Sequence, residues 1–161
     1  MERRNYPVKM GSPIEVKVKS LLIYQQKGVA IILLEDIEEK WGLPILAKSS
    51  EVASIDLTLS GQKSPRPLSH DLMASMIQGL NARLLHILID ILEEPLCHGI
   101  IALDVQGREK DFDSRPSDAI ALALRAQVPI YVSPSVMAKG AVYYDRYDWF
   151  SDLEGKAKLH N

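Results

Sequence analysis

The sequence has little cysteine and no long apolar segment. Its 161 residues include one cysteine, Cys97, so we expect no intrachain disulfide and no metal site built from several thiolates. No apolar stretch approaches the roughly 18 residues that a membrane-spanning helix requires, and residues 1–7 are polar and unlike a secretory signal. These absences predict a protein of the reducing cytoplasm that does not contact a membrane.

Positive charge is also scarce for a protein that holds nucleic acid by charge alone. The formal net charge is -2, and the isoelectric point is near 6.1. Tight, nonspecific nucleic-acid binders carry a basic domain or a basic stripe. The charge therefore argues against that class but is compatible with an enzyme that holds one or two phosphates locally.

The remaining composition is that of an ordinary globular domain. Hydrophobic residues make up 47% of the chain and charged residues 25%, and a chain of this length can bury a substantial core. We predict an N-terminal arm over residues 1–13, a domain over residues 14–140 and a C-terminal tail over residues 141–161.

Three strands and a helix are predicted in the first part of the domain. Residues 14–24 alternate apolar and charged side chains with the period of a half-buried strand, and residues 29–34 form an apolar segment that pairs with them as a hairpin. A third strand is predicted over residues 41–46, where Pro44 favours a sheet edge. Residues from about 49 to 60 have a weak helical pattern.

A loop over residues 61–67 leads to a second predicted helix. Ser69 is its expected cap, and Gly79 and Asn81 mark its end. Apolar side chains recur along it at the spacing of one helical face, and we expect this face to lie in the core. Its members are Leu72, Met73, Met76, Ile77 and Leu80.

The second part of the domain repeats the order of the first. Period-two apolar patterns over residues 85–91 and 96–105 predict antiparallel strands, followed by a strand over residues 108–113 and a helix from Pro116 to Arg125. Residues 128–132 form the last predicted strand. The fold class is therefore α+β, with a mixed, largely antiparallel sheet packed by helices. Either the strand-strand-strand-helix unit is duplicated or two independent apolar helices share a pattern.

The tail concentrates aromatic residues. Five of the ten aromatic residues of the chain lie within eight positions of it, at Tyr143, Tyr144, Tyr147, Trp149 and Phe150. Such a segment is expected to dock, either on its own domain or on a second subunit. The second alternative predicts a homo-oligomer.

Two polar segments lie at predicted helix starts. One spans residues 66–71 and includes Arg66, Ser69, His70 and Asp71; the other spans residues 111–118. Each has an Arg-Pro pair where backbone N–H groups have no helical partner and the helix dipole favours an anion, so a phosphate would fit. The alternative is purely structural, with serine caps and acidic dipole partners and no ligand.

The two segments resemble motifs of the bifunctional nuclease domain family. That family has an Arg-Pro-x-Thr/Ser-His-Asp-Leu segment and, downstream, an Asp-x-Arg-Pro-Ser-Asp-Ala segment. Here they are residues 66–72 and residues 113–119, in the same order, and residues 128–132 resemble the family's ending. The resemblance covers roughly residues 14–140, although residues 46–50 lack the family's Trp/Phe-Ile-Gly continuation.

The resemblance implies hydrolysis of phosphodiester bonds in DNA and RNA. That reaction requires charge stabilisation of the phosphorane and acid-base catalysis. Arg66 and Arg115 would bind phosphate, assisted by Ser69 and Ser117. His70 is the natural acid or base, since histidine changes charge near neutral pH. The remaining catalytic candidates orient it or hold a divalent cation such as magnesium, and they are Asp71, Asp113 and Asp118.

A non-catalytic interpretation uses the same residues. Arg115 pairing with Asp113 or Asp118, and Arg66 pairing with Asp71, would form a salt-bridge network that only joins two helix starts. His70 and Asp71 are adjacent on a helix and point about 100° apart, so they cannot act as one pair there. The rival function is a regulatory module that binds an anion or a partner protein.

Overall fold

A three-stranded antiparallel unit followed by a helix forms the first half. The computed structural model describes residues 11–93 and 96–143 of the chain, and most of the N-terminal arm and most of the aromatic tail lie outside them. The unit consists of β1 (Ile14–Tyr24), β2 (Val29–Asp36), β3 (Trp41–Lys48) and α1 (Ser49–Leu59). β1 and β2 pair as the predicted hairpin, and β2 pairs with β3.

The second half has the same order of elements. After α2 (Ser69–Gly79) come β4 (Ala82–Glu93), β5 (Leu96–Val105), β6 (Arg108–Ser114) and α3 (Pro116–Ala126). β5 pairs antiparallel with both β4 and β6. The predicted strand-strand-strand-helix repeat is therefore present as a repeat of architecture.

A strand from the end of the domain joins the two units. β7 (Ile130–Val132) lies between β1 and β4, so that the sheet has the order β6-β5-β4-β7-β1-β2-β3-β8, in which β8 is Val142–Tyr143. It is antiparallel to β1 and parallel to β4, which makes the sheet mixed and largely antiparallel, as predicted. The sequence pattern did not predict α4 (Pro134–Gly140) and β8 (Val142–Tyr143), which follow it.

Three helices pack with the sheet in the buried core. A single buried cluster joins side chains of β1–β5 and β7 to α1, α3 and α4. Val52 and Ile55 of α1 and Ile120 of α3 are fully buried in it. α3 contributes its whole central part, residues 119–123, because alanines let it approach both α1 and the sheet closely.

The apolar face of α2 is not in the core, so this prediction was wrong. Four of its five apolar side chains are between 44% and 73% exposed, and they are Leu72, Met73, Met76 and Leu80. Only Ala74 and Ile77 pack against the core. The periodicity identified the helix but not its direction, because the inward side of α2 carries His70, Ala74 and Ile77 instead.

The start of the aromatic tail packs on its own domain. β8 pairs with the beginning of β3, and the rings of Tyr143 and Trp41 lie 4.9 Å apart. The other four aromatic residues of the tail lie outside the described residues. Among the described helices, none is long and apolar enough to cross a membrane.

Candidate nucleic-acid site

His70 lies at the meeting point of three helices. It is in the first turn of α2, its side chain is 11% exposed, and its ring contacts α1 and α3. Nδ1 lies 2.8 Å from Ser54 Oγ, and Nε2 lies 3.1 Å from Asp118 Oδ1. A carboxylate can only accept, so Nε2 carries the proton given to Asp118. In neutral His70 the lone pair of Nδ1 then faces the Ser54 hydroxyl.

Asp118 connects His70 to Arg115. Arg115 donates from Nε to Asp118 Oδ2 at 2.7 Å and from a terminal nitrogen to Oδ1 at 3.0 Å, a bidentate pair. Burial acts to raise the pKa of Asp118, but the hydrogen bonds from Arg115 and His70 outweigh it, and the pKa lies below its usual value. Asp118 is therefore ionised at neutral pH.

A second carboxylate contacts the same arginine. The other terminal nitrogen of Arg115 donates to Glu51 Oε1 at 2.7 Å. Its side chain is 59% exposed, whereas Glu51 is largely covered. Bonds to the Asp118 and Glu51 carboxylates also raise the pKa of Arg115. We call Ser54, His70, Asp118, Arg115 and Glu51 the His70 cluster.

The repeated architecture places the two carboxylates of the His70 cluster at equivalent positions of their helices. α1 begins after Lys48 and has Glu51 at its third position, and α3 begins after Arg115 and has Asp118 at its third position. Both helices therefore start with a basic residue at the cap position and an acidic residue one turn later, and the helix dipole stabilises the acidic one. Because α1 and α3 pack side by side, the two carboxylates meet at one guanidinium.

Gly99 of β5 allows the start of α3 to lie close to the sheet. A Cβ atom at Gly99 would lie 2.7 Å from Ala119 Cβ, 2.9 Å from Ser114 Oγ and 3.1 Å from the carbonyl oxygen of Arg115. The Ser114 hydroxyl also donates to the carbonyl of Gly99 at 2.8 Å. Only glycine fits here, and its absence of a side chain fixes the position from which Arg115 extends.

Asp71 points away from His70, as the helix geometry predicts. Its Oδ2 accepts the backbone N–H of Leu68 at 2.8 Å, and its Oδ1 accepts from Arg125 at 2.5 Å. Arg125 also donates to the carbonyls of Ser54 and Ala121. The Asp71–Arg125 pair thus joins all three helices, and the predicted pairing of Asp71 with Arg66 was wrong.

Asp71→Asn is expected to lower the free energy of unfolding at pH 7 by about 0.5–1 kcal/mol, because the carboxylate is 38% exposed. Hydrogen bonds from Arg125 and then from Leu68 hold the pKa of Asp71 below its usual value. A carboxyl group whose pKa is lower in the folded state stabilises the fold at pH values above its unfolded-state pKa. This stabilisation is lost as the pH falls through its folded-state pKa. Urea unfolding should therefore show a smaller difference at pH 3 than at pH 7.

Asp111→Asn is the matched control for that measurement. Asp111 is exposed on β6 and makes no ion pair with the other described residues. We expect its substitution to change stability little at either pH. The assignment would be contradicted if the difference in free energy of unfolding between the wild type and Asp71→Asn increased towards pH 3.

Three of the four phosphate-binding candidates lie outside the His70 cluster. Arg66 and Ser69 are exposed, and no hydrogen bond or ion pair joins Arg66 to another described residue. Ser69 is the first residue of α2 and not its cap, since the helix is capped by the Asp71 side chain at Leu68. Ser117 is buried at 2% exposure in the first turn of α3. Arg115 is the candidate that lies in the cluster.

The three predicted aspartates occupy three separate places. Asp113 lies on β6 with its Oδ1 2.6 Å from Nδ1 of His98, whereas Asp71 faces Arg125 and Asp118 faces His70. Over residues 11–93 and 96–143, no group of three His, Cys, Asp or Glu side chains is arranged to hold a metal ion. The aspartates thus do not form one cation site together.

The sequence interpretation did not include three residues that complete the arrangement. Glu51 was detectable in principle, because aligning the two repeat units places it opposite Asp118. Ser54 and Arg125 had no sequence signal, since a helical serine and a basic residue at a helix end are common. Their partners are set by how the three helices pack.

Comparison with known proteins gives the family. The bifunctional nuclease domain matches over residues 32–145. Two uncharacterized proteins from two strains of Mycobacterium tuberculosis are each 35% identical over 128 residues, which is 80% of this chain and 76% of the relative. The match spans both polar segments, all three helices that meet at His70, and β7. This chain therefore belongs to the bifunctional nuclease domain family.

Proposed function

We propose that the protein is a nuclease that hydrolyses phosphodiester bonds of DNA and RNA, and that the His70 cluster is its catalytic site. The family supports the reaction class. The observation that carries the proposal is the linear arrangement of Asp118, His70 and Ser54, with distances of 3.1 and 2.8 Å at the two ring nitrogens. A histidine held between a carboxylate and a hydroxyl is a general base with a fixed tautomer.

His70 is the base in this proposal, and Asp118 is the residue that orients it. Asp118 stabilises the protonated ring that forms when Nδ1 takes a proton. The proton comes from an attacking water and reaches Nδ1 through the Ser54 hydroxyl, while the water oxygen bonds to phosphorus and the bond to the leaving oxygen breaks. The same ring then returns the proton to the leaving oxygen, as general acid catalysis requires.

Arg115 supplies the phosphate contact. Within the described residues it uses three N–H groups, for Asp118 and Glu51, of the five that a guanidinium has. The other two are free to donate to phosphate oxygens, and the side chain is 59% exposed. The bidentate bond to Asp118 places this cation beside the base.

A divalent cation would complement this site. Glu51 and Asp118 carry two negative charges against the one positive charge of Arg115, so the cluster as it stands repels a polyanion. The two carboxylates are the residues that would hold magnesium, which binds proteins through one or two carboxylates and several waters. The cation would offset the excess charge and stabilise charge on the phosphate.

Arg115→Ala is expected to lower cleavage of DNA and RNA by about 10- to 100-fold, because one charged contact to the phosphate is lost. The measurement is the rate of cleavage of labelled single- and double-stranded substrates with and without a chelator. Arg108→Ala is the control, since Arg108 is exposed at the other end of β6 and belongs to neither polar segment.

The comparison of the two arginine variants also identifies contamination. A contaminating nuclease would remain fully active in every preparation, so unchanged cleavage in Arg115→Ala contradicts the proposal. An equal loss in Arg108→Ala would instead indicate general binding by surface charge.

A second candidate function is a non-catalytic module that binds an anion or a partner protein. The pairing of Arg115 with two carboxylates favours it, because much of the positive charge that would stabilise the phosphorane is already neutralised. Absence of cleavage in the wild-type protein, together with binding of an anionic ligand that Arg115→Ala removes, would select this function.

A further inference from the structure

Two leucines of the first unit are buried outside the core. Successive side chains of a strand point to opposite faces of the sheet. Leu21 of β1 and its partner Ile32 of β2 belong to the core cluster that includes α1, whereas the next residues, Leu22 and Leu33, do not. Both are nevertheless 0% exposed, and the hydroxyl oxygen of Ser20, the partner of Leu33, is also buried. We call the side of β1–β3 that bears these three side chains the outer face.

The corresponding face of the second unit is not buried in this way. Ile87 of β4 and its partner Ile101 of β5 belong to the core cluster. Leu88 and its partner Ile100 therefore point to the other side of the sheet, and both are partly exposed. An antiparallel sheet with one face in water leaves side chains of that face accessible. The complete burial of leucines on the outer face therefore requires a covering layer.

Exposure along β3 indicates where this layer begins. On the outer face of β3, Gly42 is buried, Pro44 is partly buried and Leu46 is 74% exposed. Glu35 of β2, the partner of Gly42, is only 3% exposed. The layer therefore runs from the end of the sheet at which β3 begins, across β2 and onto β1. β8 pairs with this same end of β3, and the C-terminal tail continues from β8.

The tail is the segment whose position and composition fit this layer. Leu33 pairs with Pro44, three residues along β3 from Trp41, which is about 10 Å at the rise of a strand, so residues 144–161 are long enough to reach it. Residues 1–10 join the same end of the sheet through β1. Complete burial of leucine side chains requires large apolar partners. Residues 144–150 include four aromatic residues, whereas residues 1–10 include one.

We propose that residues 144–161 fold back over the outer face and bury their aromatic side chains against Leu22 and Leu33. The tail then forms a layer of its own domain, on the side of β1–β3 opposite α1. Its aromatic residues are consequently not available to a second subunit. The His70 cluster is formed by α1, α2 and α3, so this proposal does not depend on the proposed function.

The reactivity of an introduced thiol tests this proposal in the full chain. Leu33→Cys in a Cys97→Ala background places a single thiol on the outer face, and this thiol should react slowly with a thiol reagent. Trp149→Ser together with Phe150→Ser should raise its reaction rate at least about 10-fold, because the covering layer then opens more often.

Two controls accompany the tail variant. Tyr6→Ser together with Val8→Ser is the matched change in the N-terminal arm, and it should leave the reaction rate unchanged. Val52→Cys places the thiol on α1 in the core, where Val52 is 0% exposed. That thiol should stay protected in the tail variant, which distinguishes loss of the layer from unfolding of the domain.

An unchanged reaction rate at Leu33→Cys in the tail variant would overturn the proposal, and so would an increased rate in the arm variant. Cleavage of the wild-type chain by chymotrypsin is a second measurement, and it decides the question if the Val52→Cys thiol also becomes reactive. Chymotrypsin prefers aromatic residues, and the packed tail should resist it under native conditions. Cleavage within residues 144–150 as fast as in the denatured chain would also overturn the proposal.

Discussion

His70→Ala is expected to reduce cleavage of DNA and RNA by about 10²–10⁴-fold, the usual effect of removing a general base. The loss should exceed that of Arg115→Ala because Nδ1 is the proton acceptor in the proposed mechanism. His70→Gln should be equally inactive, although glutamine can still bond to Ser54 and Asp118. Single-turnover cleavage rates at saturating enzyme measure the effect on the chemical step.

Stability must be followed in the same variants, because His70 is largely buried between three helices. The free energy of unfolding separates a lost base from a disturbed fold, and His70→Gln is the variant expected to keep most of it. His86→Ala is the control, since His86 packs on Tyr131, with ring centroids 5.6 Å apart, and not in the cluster. Full cleavage by a well-folded His70→Gln protein would exclude His70 as the base.

Gly99→Val is expected to lower the free energy of unfolding by about 3 kcal/mol, at the upper end for overpacking in a core. The added atoms would collide with Ala119 Cβ and with the carbonyl of Arg115, and neither is the flexible end of a side chain. Relief of the collision requires α3 to move away from β5, which would also separate Asp118 from His70. We therefore expect cleavage to fall together with stability.

Gly79→Ala is the matched glycine control. Gly79 is in α2, and a Cβ there would have no neighbour within 4 Å. Alanine favours a helix over glycine by about 0.5–1 kcal/mol, so stability should be unchanged or slightly higher. Denaturant unfolding of both variants distinguishes the collision at Gly99 from a general effect of replacing glycine. If Gly99→Val had the same free energy of unfolding as the wild type, α3 would be able to move away from the sheet without loss of stability.

The sequence predicted the helices and strands that are determined by residues close together in the chain. The β1–β2 hairpin, the β4–β5 pair and α3 follow from alternation, turn residues and a proline in the first helical turn. The place of β7 could not be predicted in this way. A three-residue strand has no pattern that distinguishes a central position in the sheet from an edge. Its neighbouring strands come from residues that are far away in the sequence.

The same division applies to the site. Both polar segments lie at helix starts, as predicted, and His70 of one meets Asp118 of the other, which is one of the three aspartates that the resemblance offered as its partner. The direction of α2 could not be predicted. An amphipathic pattern gives the apolar side of a helix, but here that side faces outward, because the inward side is fixed by two polar contacts, His70 with Asp118 and Asp71 with Arg125.

The central position of β7 has a consequence for how the chain acquires its fold during synthesis. Ile14 pairs with Val132, so the first strand meets its second neighbour only after 118 further residues have been made. Until then each three-stranded unit can form from nearby residues, but β1 and β4 both present an open edge. Closing this gap is a late, long-range step and should limit the folding rate. A ribosome-bound chain that ends before residue 130 would expose two unpaired edges to other nascent chains.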